Sequence, residues 1–288
     1  MNPAIRAARP DDIPGIASWT TDTFAWGDYV GDALDEWIAD PAGVVLVAEV
    51  DGAVVATGRV VMVSATEAWA QGARVHPDHR RSGIGSLLSE ALWDWAREHE
   101  AKVVRVAVDA DNSPAIAHVE NMGFRRVSDW WFAERQLGAR SPVPEGNGGR
   151  RVPTPERLQE AHSAEAEPAF LSWTVGELAS AARGLFSIGW VWRLMTVEHL
   201  EVAARNRSLI EGRPGWAITE PSDETVRVHW IETSQDDARA MVRALVDHGV
   251  EHSQTSIEIM APRVDWLGEA LSANSFDRSE VRVYALTL

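Results

Sequence analysis

The stretch that decides the fold is Val75-His76-Pro77-Asp78-His79-Arg80-Arg81-Ser82-Gly83-Ile84-Gly85-Ser86-Leu87-Leu88. It follows an apolar run ending at Val75. It opens a segment in which Leu87, Leu88, Ala91, Leu92, Trp95 and Ala96 recur at helical spacing, with Glu90, Asp94, Arg97 and Glu98 off that face. The whole therefore reads as strand, turn and helix. Such a junction offers the helix's unpaired N–H groups and the positive end of its dipole, while glycines let an anion come close to the backbone. A phosphate is the expected ligand. The dinucleotide fingerprint fails because no third Gly follows at the required spacing, and the Walker loop fails for want of Gly-Lys followed by Ser or Thr.

Outward from this turn the elements alternate. Upstream lie a helix-rich start from Asp11 to Ile38 and two β-branched runs, Val44 to Val50 and Val54 to Val63, joined by Asp51-Gly52. That dipeptide between apolar runs predicts a hairpin, and a third strand follows from after Thr66 to Val75. Downstream, Val103 to Val108 predicts a strand, and Pro114 to Met122 a helix capped by Asn112 or Ser113 and ended by Gly123. Arg125 to Ala133 predicts a last strand. The segment Gln136 to Pro155 carries four Gly and four Pro and reads as a linker. The expected domains are residues 1–137 and 156–288, with 138–155 between them.

The chain has 288 residues, 43 Asp+Glu against 27 Lys+Arg, a net charge of -16 and no Cys. Nucleic acid and anionic membrane are disfavoured as partners, because both need clustered Lys and Arg. Disulfides, thiolate metal sites and a cysteine nucleophile are excluded. His76 and His79 flank Asp78, but they sit in an anion-binding loop and lack a third ligand, so no metal is expected. The start has no apolar stretch of signal length, and no window approaches about 18 apolar residues, so a cytoplasmic protein is expected.

Arg80-x-x-Gly83-x-Gly85 after a strand ending Val-x-Pro, followed by helix, strand, Asn112-x-x-Ala115 and Gly123-Phe124, resembles the GCN5-related N-acetyltransferases. The resemblance covers about residues 4 to 134. It implies an α/β fold with a mixed sheet flanked by helices, and an acetyl-CoA site formed by Val75, Arg80, Arg81, Ser82, Gly83, Ile84, Gly85, Ser86 and Asn112. It also implies that the third and fourth strands of this half part, so that the pantetheine arm pairs with the strand ending at Val75. The implied reaction is direct acetyl transfer to an amine of a small molecule or peptide. Glu67, at the start of the third strand, is the candidate base. The family's usual Tyr, seven residues beyond the Asn, is Val119 here, which leaves His118 as the candidate proton donor to the thiolate. A CoA-binding sensor without turnover, and transfer of a longer acyl group, are the alternatives. Trp19, Trp26, Tyr29 and Trp37 are offered either as walls of an acceptor pocket or as core. Asp28, Asp32, Asp35 and Glu36 are offered either as a lure for a cationic amine or as a solvated face.

The second half repeats part of this order. Adding 153 takes Arg74-Val75-His76 to Arg227-Val228-His229, Ala91-Leu92 to Ala244-Leu245 and Asn121 to Asn274, with one deletion before Phe276. Thr225 to Glu232 is then the counterpart either of the strand ending at Val75 or of the one before it. The same offset puts Thr233, Asp236 and Ala238 in place of Arg80, Gly83 and Gly85. Carboxylates at a helix N-terminus repel a pyrophosphate, so this half reads as a degenerate copy that does not bind CoA. Other tandem members of the family suggest a role at the active site for Tyr284 or the carboxylate of Leu288. A homodimer is admitted.

Overall fold

The computed structural model describes residues 3–21, 23, 27–138, 157–222 and 224–288. They fall into two compact units. The first comprises Met1–Val108, Asn112–Arg126 and Tyr284–Leu288, the second Asp109–Asp111 and Val127–Val283. Both are mixed α/β, with helices flanking a sheet that has parallel and antiparallel pairs. Among the described residues no helix is long and apolar enough to cross a membrane. Residues 139–155 of the expected linker lie outside the described residues.

In the first unit β1 (Ala4–Ala7) precedes the helices α1 (Ile13–Thr20) and α2 (Val30–Ala39), which occupy the helix-rich start. The short edge strand β1 has no sequence signal of its own and is held by antiparallel pairing with β2 (Gly43–Val50). β2 and β3 (Ala53–Met62) form the expected hairpin. Asp51 and Gly52 both have positive φ, 51° and 83°, as a two-residue turn of matching twist requires. β4 (Glu67–Val75) continues the meander, and α3 (Ile84–Glu98) returns over it to β5 (Val103–Asp109), parallel to β4. The buried face of α3 is the column Ile84, Leu88, Leu92 and Ala96 with Trp93, whereas Leu87 is 39% exposed. The apolar stripe is thus turned by one position from the expected one, and Leu92, common to both, packs closely over Gly58 of β3. α4 (Ser113–Asn121) starts at Asn112, whose Oδ1 accepts from the Ala115 N–H at 3.2 Å. Gly123, with φ of 88°, ends it and leads into β6 (Arg125–Gln136).

The second unit runs β7 (Gln159–Glu160), α5 (Ala166–Val175), α6 (Glu177–Ala182), a hairpin of β8 (Leu185–Ile188) and β9 (Val191–Leu194), and α7 (Val197–Arg205). It continues with β10 (Leu209–Gly212), β11 (Gly215–Pro221), β12 (Thr225–Glu232), α8 (Ala238–Glu251), β13 (Ser256–Pro262), α9 (Asp265–Ala273) and β14 (Asp277–Thr287). The neighbour order β7-β10-β11-β12-β13 parallels β1-β2-β3-β4-β5. β12 is parallel to β13 and leads into α8, so Thr225 to Glu232 corresponds to β4 and not to the strand before it. The expected match of Arg74-Val75-His76 with Arg227-Val228-His229 is corrected by the register. Thr225 lies opposite Ser256 as Glu67 lies opposite Val103, which makes Arg227 the counterpart of Trp69. The cause is a shorter path: the turn Thr233 to Asp237 has three residues fewer than His76 to Gly83, and β12 and α8 are each one residue shorter than β4 and α3.

Each unit also takes a strand segment from elsewhere in the chain. Most of β6 belongs to the second unit, where it pairs antiparallel with β13, and Tyr284–Leu288 at the end of β14 belong to the first, whose β5 neighbours β14. The core of the first unit accordingly includes Tyr284, 1% exposed, with Leu286 and Leu288 packed against it.

Candidate active site

The site begins where two strands part. β4 and β5 pair from Glu67 and Val103 to Trp69 and Arg105, yet β4 runs on to Val75 and β5 to Asp109. From Ala70 onward the β5 side of β4 has no strand partner among the described residues, so its backbone donors and acceptors are open to a ligand's amides. A bulge adds to the divergence: Gly72 and Ala73 stand against the single Gly58, and Gly72 has φ of 68°. A side chain at Gly72 would meet the Trp37 ring at 2.6 Å. The glycine within an apolar run was a readable sign of this bulge.

The turn follows. Arg81 and Gly83 have positive φ, 60° and 85°, and Gly83 is the N-cap of α3 with no side-chain cap. The first intrahelical bond is from Leu87 N–H to Gly83 O at 3.1 Å, so the N–H groups of Ile84, Gly85 and Ser86 have no carbonyl within the helix. Nothing lies within 4 Å of where a Gly83 Cβ would stand. Arg80 Nε donates to the Val75 carbonyl at 3.4 Å, and the Ser82 hydroxyl donates to His79 O, fixing the loop. A negatively charged group fits this open, donor-lined turn, with the guanidinium groups of Arg80 and Arg81 exposed beside it.

His118 joins the same place from α4. A Gly85 Cβ would lie 3.4 Å from Val75 Cγ2 and 3.8 Å from His118 Cε1, and Ser89 Oγ is 3.3 Å from His118 Nε2. Val75, Gly85 and His118 therefore converge. Ser89 belongs to the cluster as well, but no sequence spacing relates it to His118. Burial lowers the His118 pKa below the usual imidazole value, so the ring is neutral at pH 7. Val119, in the place of the usual Tyr, is 9% exposed and packs in the core. Asn112 spends its side-chain oxygen on capping α4 and stands at the parted end of β5.

Glu67 is set apart. It sits at the paired end of β4, 7% exposed, with Oε1 ion-paired to Arg105 Nη1 and Oε2 accepting from Ser64 Oγ at 3.1 Å. Both oxygens are engaged by groups of the fold. Leu288 lies at that same end, its N–H donating to Lys102 O at 3.0 Å, and the Tyr284 hydroxyl donates to Glu120 Oε1 at 3.5 Å.

On the other side of β4, Trp37 is 7% exposed and belongs to the core, whereas Tyr29 is 43% exposed. Trp19 lies edge-on to His76 with ring centroids 5.6 Å apart, and Trp26 lies outside the described residues. Asp28 is not a lure for amines. Its side chain is fully buried and receives Arg74 Nε at 2.6 Å and Nη2 at 3.0 Å. Burial opposes ionisation of Asp28, but Arg74, Thr23 and the Val30 N–H outweigh it and hold the carboxyl below the usual carboxylate range. Asp32, Asp35 and Glu36 lie on the exposed face of α2. Among the described residues no three His, Asp or Glu side chains converge so as to hold a metal ion.

In the second unit the corresponding turn closes on itself. Ser234 Oγ donates to Asp237 Oδ2 at 2.9 Å, the Asp237 N–H donates to Ser234 Oγ at 3.2 Å, and Thr233 Oγ1 donates to Pro214 O at 2.7 Å.

These features agree with what the chain is similar to. Residues 13–124 match the model of the acetyltransferase (GNAT) family. No sequence among the curated proteins matches the chain. Among solved structures, a GCN5-related N-acetyltransferase from Sphaerobacter thermophilus shares the fold with a TM-score of 0.68 at 15% identity, over 99% of this chain and 95% of that one. A putative acetyltransferase from Thermoplasma acidophilum gives 0.63 at 19% identity, over 99% of this chain and all of that one. A tandem GNAT protein from the clavulanic acid biosynthesis pathway gives 0.54 at 16% identity, over 99% and 98%. Residues 13–124, which hold the parted strands, the glycine turn and His118, are a domain of the GNAT acetyltransferase family.

Proposed function

We propose that the chain transfers an acetyl group from acetyl-CoA directly to a primary amine of a small molecule or peptide. The observation that carries this reading is the turn from Arg80 to Ser86. It has open space over a left-handed Gly83 and three uncommitted helix N–H groups, and it stands beside a strand edge with no partner. Acetyl-CoA supplies the activated thioester. The N–H groups of Ile84, Gly85 and Ser86 would bind its pyrophosphate, with Arg80 and Arg81 adding charge. The free edge of β4 up to Val75 would hold the amide-bearing arm, and a backbone N–H of that edge would stabilise the oxyanion.

His118 is proposed as the group that steadies the departing thiolate. Being neutral, it acts through a ring N–H and not as an imidazolium, and its hydrogen bond with Ser89 orients the ring. Glu67 is not the base in this reading, since Arg105 and Ser64 hold its oxygens; the amine arrives neutral, and the proton its nitrogen sheds after bonding to the carbonyl carbon passes to the departing thiolate, giving the CoA thiol. The second unit is read as a degenerate copy of the same plan, with Asp236 and Asp237 where a pyrophosphate would have to approach. The domain division at residues 137 and 156 is retained for the repeat in sequence, with the terminal strands exchanged.

The test is thiol release from acetyl-CoA with a panel of primary amines, repeated with propionyl- and butyryl-CoA. Release that depends on both amine and acetyl-CoA is expected. Tight CoA binding with no release on any amine would leave a sensor instead, and faster release from a longer thioester would reassign the acyl group.

A further inference from the structure

The second unit keeps the parted strands without the glycine turn. β12 and β13 pair from Thr225 and Ser256 to Val228 and Ile259, then continue apart to Glu232 and Pro262. At the end of β12 lies a cleft of about 400 Å³ bounded by Ser172, Arg213, Trp216, Glu232, Asp237 and Trp266. All of these residues belong to this unit.

Glu232 is the unusual member. It is 7% exposed, and its Oε1 accepts from Ser172 Oγ at 2.8 Å, while its buried Oε2 has no hydrogen-bond partner. Leaving a buried carboxylate oxygen unmatched is costly, so such a group points to a ligand. Burial pushes the carboxyl above its usual range, and the Ser172 hydroxyl offsets only part of this. The backbone beside it is fixed by Gly215, where a Cβ would fall 1.9 Å from Glu232 O.

The free oxygen does not stand alone. At Gly176, which also lines the cleft, the place of the absent Cβ is 3.3 Å from Trp173 O, 3.5 Å from Ser172 O and 3.7 Å from Glu232 Oε2. The two carbonyls end α5, at the negative pole of its dipole. Three acceptors thus surround one small space. That space is the volume a Cβ would fill, so a bound nitrogen stands outside it, on the cleft side of Gly176. Trp216 and Trp266 add aromatic faces that favour an organic cation, and Trp266 is held by its Nε1 donating to Glu177 Oε2 at 3.0 Å. In the first unit, Arg74 near the end of β4 is tied to Asp28; in the second, the carboxylate stands at the end of β12 and its partner is a hydroxyl.

We propose that this cleft binds a small primary ammonium compound, its nitrogen beside Gly176 and paired with the Glu232 carboxylate. The site lies within the second unit and does not rest on acyl transfer by the first.

The test is calorimetric titration of the full chain with n-butylammonium and phenethylammonium chlorides in sodium phosphate, with n-butanol as the neutral control. Saturable binding of at least one ammonium is expected and none of the alcohol. Glu232→Gln should weaken that binding at least tenfold, and Gly176→Ala should do the same by placing a methyl group 3.7 Å from Glu232 Oε2, where it covers that oxygen. Should Glu232→Gln fail to fold, Gly176→Ala and the pH series on the native protein still decide. Binding should tighten from pH 5 to pH 8 as Glu232 loses its proton, with Glu177, Asp237 and Arg213 the other ionisable groups lining the cleft. No saturable binding of either ammonium, undiminished affinity in both variants, or displacement by potassium chloride at equal concentration would overturn the proposal.

Discussion

At the level of single residues, Gly83 shows how two requirements meet in one position. Its φ of 85° favours glycine, and the space above it is open. Gly83→Ala should therefore cost only about 1 kcal/mol of stability, the strain of a left-handed non-glycine residue. Gly83→Asp adds a charge where a phosphate must approach and should abolish acetyl-CoA binding; calorimetry on both variants separates the strain from the repulsion. Undiminished affinity in Gly83→Asp would remove the turn as the cofactor site. His118 makes a different demand. His118→Ala should lower kcat by roughly tenfold to a hundredfold, at the low end of what a positioned proton donor contributes, because a thiol of pKa near 8.5 can also leave unaided. Acetyl-CoA affinity should change less than threefold, and a loss of affinity equal to the loss of kcat would mean that His118 only shapes the turn. Gly83 was legible because glycine spacing reports backbone geometry directly. The engagement of Glu67 was not, since Arg105 is 38 residues away and only the pairing of β4 with β5 brings it near.

Among the elements, local chemistry was readable where a single turn or cap decides the outcome. Asp51-Gly52 marked a hairpin and Asn112 a helix start, and both stand as expected. Elements that owe their existence to a neighbour were less so: β1 and β7 are short edge strands, and the displacement of β12 reflects residues missing from a turn. β4 illustrates the interplay. Its bulge at Gly72 is covered by Trp37, so Gly72→Ala combines positive φ with a 2.6 Å clash and should destabilise the first unit by about 3 kcal/mol, read by chemical denaturation. At the end of α8, His248 carries a pH dependence. Burial, with the neighbouring His252, lowers its pKa to about 4 despite Glu251. The unfolded chain titrates near 6.5, so below that pH it binds a proton that the folded chain refuses. The melting temperature should fall as pH drops from about 6.5 towards 4, and His248→Leu should flatten this slope; an unchanged slope would place the acid sensitivity elsewhere.

For the molecule as a whole, the repeat visible in sequence suggested two domains that follow one another along the chain, and the compact units depart from that order at both ends of the repeat. Most of β6 is counted with the second unit and the last five residues with the first. Sequence could not show this, because a strand's pattern states which face is buried and not which neighbour it takes. The consequence falls on the unit that carries the turn. Tyr284 is 1% exposed within its core, with Leu286 and Leu288 against the same cluster, and the Leu288 N–H closes on Lys102 O at the start of β5. Truncating one buried aromatic residue costs about 3 to 5 kcal/mol, a large share of a typical domain's total stability. Deleting residues 284–288 should therefore unfold the first unit or lower its melting temperature by more than about 10 °C, and a fragment of residues 1–137 should not bind acetyl-CoA. Tyr284→Phe separates packing from the hydroxyl: its bond to Glu120 is long at 3.5 Å, so this variant should retain both stability and acetyl-CoA binding. A 1–137 fragment that folds and binds acetyl-CoA with the affinity of the full chain would show that the end of β14 is dispensable to the first unit.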